Sequence, residues 1–197
     1  MISAVLLAAG LSRRMGRNKL LLPLGGRTLL EHSLQALLDS AAGETVVVIG
    51  HEADRVRPLL GRYPVRVVEN PDYAQGMSTS LRAGVAAVSP QAVAVLIALA
   101  DQPLVGRQDI DRLIEAYRRT GKKIVVPSVG DRRGNPVLLD LSLRPEIERL
   151  TGDTGGRHIL HSHPDDIEPV PMPTGGSLFD VDTADDYRAL QDRDTPP

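Results

Sequence analysis

Apolar residues along this chain gather in short continuous runs, separated by stretches with a helical repeat. The runs 2–7, 45–49, 65–68, 93–99, 124–126 and 137–139 have strand length. Most are unbroken rather than alternating, the pattern of strands covered on both faces. Between them, 28–38 carries leucines at 29, 30, 34, 37 and 38, one face of a helix, and 77–88 and 109–118 repeat in the same way. Strand alternating with helix predicts an α/β fold, a parallel sheet with helices on both sides. The last third is less regular. Gly134-Asn135-Pro136 precedes a short strand, Pro145 restricts the start of the next helix, and the proline-rich stretch 164–173 precedes an expected final strand, 177–181. Asp182-Thr183 has the form of a cap on a closing helix, 184–190. One domain is expected over 1–190, with the polar residues 191–197 as a frayed tail.

Composition narrows the class. The chain has 197 residues, 42% apolar and 24% charged, which suits one globular domain with a sizeable core. A net charge of -2 gives no reason to expect nucleic acid or an anionic membrane as partner. The absence of cysteine excludes disulfides, thiolate metal sites and a thiol nucleophile, and fits a reducing compartment. The apolar start has its basic residues after it rather than before, the wrong order for a signal peptide. No apolar stretch approaches a membrane span, so the expected compartment is the cytoplasm. Aromatic residues are only 3%, with no Trp, so an aromatic platform for stacking bases is not expected.

In parallel sheets, ligands sit beyond the carboxyl ends of the strands, which points to the loops 8–19, 70–80 and 100–106. The first follows the first strand directly: Leu7-Ala8-Ala9-Gly10-Leu11-Ser12-Arg13-Arg14-Met15-Gly16-Arg17-Asn18-Lys19. Small residues at 8–10 let a ligand approach the backbone, Gly10 and Gly16 permit tight turns, and four cations fall within seven positions. That is a phosphate cradle. It is neither G-x-G-x-x-G nor G-x-x-x-x-G-K-[ST], so a dinucleotide site and a P-loop are both unsupported. Arg14 and Arg17 also read as solvated loop charges. Lys19 stands apart: the chain has 20 Arg and three Lys, and a Lys here indicates a site that takes a compact point charge.

The apolar run at 93–99 leads to Ala100-Asp101-Gln102-Pro103. A carboxylate at a strand's carboxyl end can face the ligand crevice, and magnesium takes one or two carboxylates plus phosphate oxygens and water. A turn or helix cap is an equally good account of Asp101 by position alone. Asp182, and below it Asp180, are candidates for a second carboxylate, although Asp182 is also the best helix cap of its region. Gln75-Gly76-Met77-Ser78-Thr79-Ser80 opens a helix with N–H groups and hydroxyls suited to a base edge, a phosphate or simple capping. His158, His161 and His163 lack a standard zinc spacing and read as a solvated helix end. No Ser-His-Asp or Cys-His arrangement is visible.

The run from Ala8 through Lys19, with Leu21-Leu22-Pro23 after it, resembles the signature of the MobA-like NTP transferases, and within them is most similar to the molybdenum cofactor cytidylyltransferase branch. Ala100-Asp101-Gln102-Pro103, Asp180-Val181-Asp182-Thr183, the 75–81 turn, 131–137 and 152–157 extend the resemblance to nearly the whole chain. It implies a three-layer α/β/α, nucleotide-diphospho-sugar transferase-like Rossmannoid fold and Mg²⁺-dependent transfer of a nucleoside monophosphate with release of pyrophosphate. It implies that Leu7, Ala8, Ala9, Gly10 and Ser12 wrap the nucleotide, that Arg13 and Lys19 meet the phosphates, and that Asp101 and Asp182 hold the metal. Lys19, Arg13 and Asp101 are then the catalytic residues. Gly76, Ser78 and Thr79 would meet the base, and Asn135, Asp153 and Arg157 the acceptor. Many relatives carry His where this chain has Asn135 and Ala where it has Gly156, departures that bear on the acceptor contacts and not on the fold.

For the base the resemblance favours cytosine. Guanylyltransferase relatives have Leu-Ala-Gly-Gly where this chain has Leu7-Ala8-Ala9-Gly10, and the Ala9 methyl narrows the pocket against a purine. The implied acceptor is molybdenum-bearing molybdopterin, and the implied recipient of the product a molybdenum hydroxylase. The rivals are guanylyl transfer, transfer to a sugar or polyol phosphate, and a non-catalytic protein that delivers finished cofactor.

Overall fold

The computed structural model describes residues 1–153 and 156–194, without the side chains of Arg13, Arg193 and Asp194. In chain order the elements are β1 (Ile2–Ala8), β2 (Pro23–Leu24), β3 (Arg27–Thr28), α1 (Leu29–Leu38), β4 (Glu44–Ile49), α2 (Ala53–Leu60), β5 (Arg66–Glu69), α3 (Met77–Ala87), β6 (Ala94–Leu99), α4 (Arg107–Thr120), β7 (Ile124–Val129), β8 (Arg132–Arg133), β9 (Val137–Asp140), α5 (Arg144–Arg149), α6 (Arg157–Ser162), β10 (Ile167–Pro171) and α7 (Ala184–Asp194). The main sheet runs β10-β7-β9-β6-β1-β4-β5, with β8 paired to β7. β1 lies parallel to both β4 and β6, β4 to β5, and β10 to β7. β9 runs reversed between β6 and β7, and the short β8 is likewise antiparallel to β7. The link from β7 to β9 carries only a short turn through β8, and a parallel pairing needs a much longer crossover.

Side chains of β1 alternate between two cores. Ala4, Leu6 and Ala8 face Leu30 and Leu34 of α1 and Ile110 and Leu113 of α4. Val5 faces Leu81 and Val85 of α3, with Ile147 of α5 and Ile159 of α6 in the same cluster. Helices on both faces make the three layers that the apolar pattern predicts. α3 comes very close to the sheet: a Cβ on Gly84 would sit 2.4 Å from Val5 Cγ1. A third, smaller core of Leu22, Leu24, Leu29, Val181, Tyr187 and Leu190 ties α7 to the β2–β3 ribbon. Among the described residues no helix is long and apolar enough to cross a membrane.

Four parts of the chain depart from the sequence expectation. α2 shows no repeat in sequence because only Val56 and Leu60 are buried in it. β10 lies inside the proline-rich stretch. It tolerates Pro169 and Pro171 because it is an edge strand: the next N–H in step, that of Met172, donates to Ser128 O at 2.9 Å, so even-numbered residues face β7 and the prolines face away. The expected strand 177–181 is absent. Gly175–Leu178 is a 3-10 turn pressed against Leu104, and the Ser177 carbonyl accepts from Asn135 N–H (3.0 Å). α7 continues past Leu190 to Asp194, with Gln191 Nε2 donating to Tyr187 OH at 3.3 Å, while 195–197 of the expected frayed tail lie outside the described residues.

Candidate functional site

The register of β1 on β6, Leu7 opposite Leu99, brings the loops 8–19 and 100–106 out at the same edge of the sheet. The first loop folds back on itself. Ser12 takes a left-handed conformation (φ 49°), its carbonyl accepts from Met15 N–H (3.0 Å), and its hydroxyl oxygen accepts from the backbone N–H of Lys19 (3.2 Å). Gly16 supplies the second left-handed turn (φ 63°), whereas the Gly10 backbone is ordinary, and the side chain it lacks simply leaves room. Leu20 then plugs into the core. Lys19 is thereby turned inward, with its side chain 11% exposed.

Its ammonium donates to Asp101 Oδ2 at 2.6 Å and to Asp182 Oδ1 at 2.8 Å. Arg14 Nη2 donates to the other oxygen of Asp182, Oδ2, at 2.6 Å. Asp182 reaches this point through the backbone: the N–H of Val181 donates to the Asp101 carbonyl (3.0 Å) and lays the two segments side by side. The cap of α7 is supplied elsewhere. Thr183 Oγ1 accepts from Asp186 N–H (3.2 Å), and Asp186 Oδ2 accepts from the N–H groups of Thr183 (2.7 Å) and Asp182 (3.1 Å). Asp109 closes the start of α4, accepting from Gly106 N–H at 3.1 Å. Neither Asp101 nor the Asp182 side chain is spent on capping.

Burial pulls the Lys19 ammonium down, but Asp101 and Asp182 outweigh it and raise its pKa above the ordinary value. Burial pushes Asp182 up, and the hydrogen bond and charge of Lys19, with Arg14, outweigh that and lower it. Asp180 goes the other way. Burial raises it, helped by the charges of Asp101 and Asp182, against a 2.6 Å bond from Gln102 Nε2 and the Lys19 charge.

Beside this cluster opens a cavity of about 390 Å³. Ala9, Gly10 and Ser12 form one side, Lys19, Asp101 and Asp182 the charged end, and Tyr73, Gly76, Met77, Ser80 and Asp153 the far wall. That wall is built at the start of α3. Gly76 has φ 116°, and a Cβ there would meet the Gly152 carbonyl carbon at 2.5 Å. Ser78 N–H donates to Gly152 O (3.1 Å) and Met77 N–H to Asp153 Oδ1 (3.0 Å), so residues 152–153 dock on the helix start.

Of the residues singled out from sequence, Leu7, Ala9, Gly10, Ser12, Lys19, Gly76, Asp101, Asp153 and Asp182 line one cavity. Ala8 points instead into the core beneath. Ser78 is fully buried, and the Thr79 hydroxyl is committed to the protein, accepting from Asn70 Nδ2 (2.8 Å) and donating to Gly76 O (2.9 Å). Neither lines the cavity; Ser80 does. Asn135, whose peptide bond to Pro136 is cis, and the exposed Arg157 do not line it either. The Arg13 side chain, Thr154 and Gly155 lie outside the described residues. Tyr73 and Met77 were missed, while Ser80, one of the three hydroxyls suited to a ligand at that turn, lines the cavity in place of Ser78 and Thr79. Tyr73 sits against Gly50 and Ala9, an aromatic wall that the 3% aromatic content argues against. Its signal was position: it is the aromatic residue of the 70–80 loop.

Two carboxylates that share one ammonium form an all-oxygen donor set, which suits a hard divalent cation completing its shell with phosphate and water. Among the described residues no three His, Asp or Glu side chains are grouped to hold a metal by themselves. His163 instead pairs with Glu146 (2.9 Å), and His161 Nδ1 meets Arg157 O (2.8 Å).

Residues 4–167 match the sequence model of the MobA-like NTP transferase domain. The chain is similar to Nicotine blue oxidoreductase of Paenarthrobacter nicotinovorans, 35% identical over 96% of each chain. It is similar to Molybdenum cofactor cytidylyltransferase of Escherichia coli strain K12, 29% identical over 98% of this chain and 97% of that one. Among solved structures it resembles Rv0371c of Mycobacterium tuberculosis H37Rv, with a TM-score of 0.84 at 32% identity, covering 97% of this chain and 98% of that one. A crystal structure of that protein in complex with manganese matches with a TM-score of 0.81 at 30% identity, over the same shares.

Proposed function

This chain belongs to the MobA-like NTP transferase family and is a nucleotidyltransferase, and from that premise we propose that it transfers CMP from CTP to molybdenum-bearing molybdopterin and releases pyrophosphate. The observation that carries this reading is the Lys19 ammonium between Asp101 and Asp182 at the end of a nucleotide-sized cavity. The similarity to a molybdenum cofactor cytidylyltransferase supports the acceptor. The Ala9 methyl on the cavity wall supports cytosine over a purine.

In this reading Lys19 and Arg13 bind the triphosphate, while Ala9, Gly10 and Ser12 bring backbone close to it. Tyr73, Met77 and Ser80 form the base side; Asp153, bonded to Met77 N–H on that same wall, is the acceptor candidate that lines the cavity, whereas Asn135 and Arg157 do not line it. Asp101 and Asp182 would hold a divalent cation, Mg²⁺ in the cell, which supplies charge compensation to the phosphates and the departing pyrophosphate. Manganese in the related Rv0371c crystal supports metal use of this kind. An acceptor phosphate oxygen forms the new bond to the α-phosphorus as the bond to pyrophosphate breaks. That oxygen is already ionised near neutral pH, so no protein base is needed. Positioning and charge stabilisation by the protein carry the rate.

The test is pyrophosphate release on mixing protein, CTP, Mg²⁺ and molybdenum-bearing molybdopterin, with GTP and sugar phosphates as substitutes. Release with CTP and this acceptor supports the reading. Faster release with GTP, or with a sugar phosphate, overturns the base or the acceptor, and none with any pair points to a delivery protein. Because one relative is an oxidoreductase, consumption of a reduced nicotinamide cofactor is the control. None is expected from a chain without G-x-G-x-x-G.

A further inference from the structure

The Lys19 ammonium stands on the very oxygens that a divalent cation would take. Two of its three N–H donors are committed to Asp101 Oδ2 and Asp182 Oδ1. The remaining Asp182 oxygen is held by Arg14. Lys19 and Arg14 hold three of the four oxygens of Asp101 and Asp182, so a bare dication must break short charge-assisted bonds to take them. A metal–polyphosphate complex meets different terms. Its phosphate oxygens offer Lys19 a new partner in the same cavity while its metal takes over the carboxylates.

We propose that Lys19 is an exchangeable internal cation: it occupies the Asp101–Asp182 pair and leaves it only for a polyphosphate, so that the metal enters together with the nucleotide and not ahead of it. This rests on the reading of Asp101 and Asp182 as metal ligands. The exchange is confined to the side chain, because the Lys19 backbone is tied to Ser12 Oγ and the next residue is anchored in the core. It also gives a physical reason for lysine in a chain whose cations are otherwise almost all arginine. An arginine fork would grip the carboxylates through fixed parallel bonds, whereas an ammonium on a flexible stem re-aims as a point charge.

The chain has only three lysines, so ¹⁵N-lysine labelling gives three side-chain ammonium signals. The other two are on the surface, Lys122 bonded to Asp165 O and Lys123 paired with Asp166. Expected in the wild-type protein is a Lys19 signal unmoved by Mg²⁺ alone and shifted by Mg²⁺ with a non-hydrolysable CTP analogue. A shift with Mg²⁺ alone, or none with the complex, overturns the proposal.

A second arm reads Mn²⁺ binding by electron paramagnetic resonance without nucleotide. Lys19→Met is expected to bind Mn²⁺ at least about tenfold more tightly than wild type, and Asp101→Asn in that background to abolish the gain. Equal affinity in wild type and Lys19→Met overturns the proposal; a gain that survives Asp101→Asn overturns the ligand assignment beneath it. If Lys19→Met does not fold, the wild-type spectra decide. Neither arm measures pyrophosphate. A protein inactive with CTP that still showed both results would keep the exchange and lose the reaction, and an active one whose Lys19 answered Mg²⁺ alone would do the reverse.

Discussion

At the scale of single residues, Lys19 and Asp101 come from loops 82 positions apart and meet at 2.6 Å. Replacing either by Ala is expected to lower turnover by at least about 10²-fold, the scale for losing one preorganised electrostatic partner, as read by initial rates of pyrophosphate release. Glu31 offers a different test. Burial pushes this carboxyl up, but hydrogen bonds from Thr28 N–H, Tyr63 OH, the Thr28 hydroxyl and Arg62 hold it down at about 2. Its folded pKa is below its unfolded one, so its contribution is complete above about pH 4.5 and is lost as the pH falls toward 2. The depression corresponds to at most about 3 kcal/mol at neutral pH, reduced by solvent screening at the exposed Arg62. Glu31→Gln should therefore lower stability at pH 7 and flatten its decline below pH 4.5, as read by urea unfolding at several pH values. The two kinds of residue differ in legibility. Asp101 was visible because it ends an apolar run with a carboxylate, and Lys19 because it is a rare lysine closing the basic loop that follows the first strand. Tyr73 was not, and among the three hydroxyls at 78–80 the fold alone selects Ser80 for the cavity, since Ser78 is buried and Thr79 is bonded to Asn70 and Gly76.

Elements carry the next level. α3 packs so closely on the sheet that its Gly84 has no room for a methyl group, with Val5 Cγ1 at 2.4 Å and Val48 Cγ2 at 3.0 Å. Ala is the better helix former by about 1 kcal/mol, yet Gly84→Ala is expected to destabilise by roughly 1–3 kcal/mol, because overpacking outweighs propensity. Chemical denaturation with an unchanged m-value checks this. Gly76→Ala acts at the other end of α3. Its left-handed backbone and the Gly152 carbonyl both exclude a side chain, so the contact between the 152–153 loop and the helix start must open. Nucleotide affinity is expected to fall more than global stability does, as read by titration calorimetry beside thermal melting. Long helices with several buried apolar residues, such as α1 and α4, were legible as a repeat. α2, with two buried side chains, was not, and β10 was hidden by prolines whose missing N–H groups do no harm on its outer side.

Across the whole molecule, the order of the strands does the work of assembly. β1 lies between β4 and β6, so one parallel register delivers the cradle and the acid to the same edge. The alternation of apolar runs and helical repeats was enough to foresee three layers and a mostly parallel sheet. The reversal of β9 was not foreseen, because it depends on link length rather than on the strand's composition. Binding at this edge should be felt by the entire fold. CTP with Mg²⁺ at about 100 times its dissociation constant adds about 2.7 kcal/mol, or roughly 5–11 °C in the melting temperature of a chain this size. A smaller shift is expected with GTP, and none with CTP for Lys19→Ala.

The prolines of β10 have one more effect, on how molecules meet each other. Since even-numbered residues face inward, the rim past β7 presents carbonyls at 169 and 171 with no amide hydrogens beside them. A stray strand from another chain would find two acceptors there without their matching donors, and only the Ile167 N–H to pair with, so this border disfavours sheet extension and fibril growth.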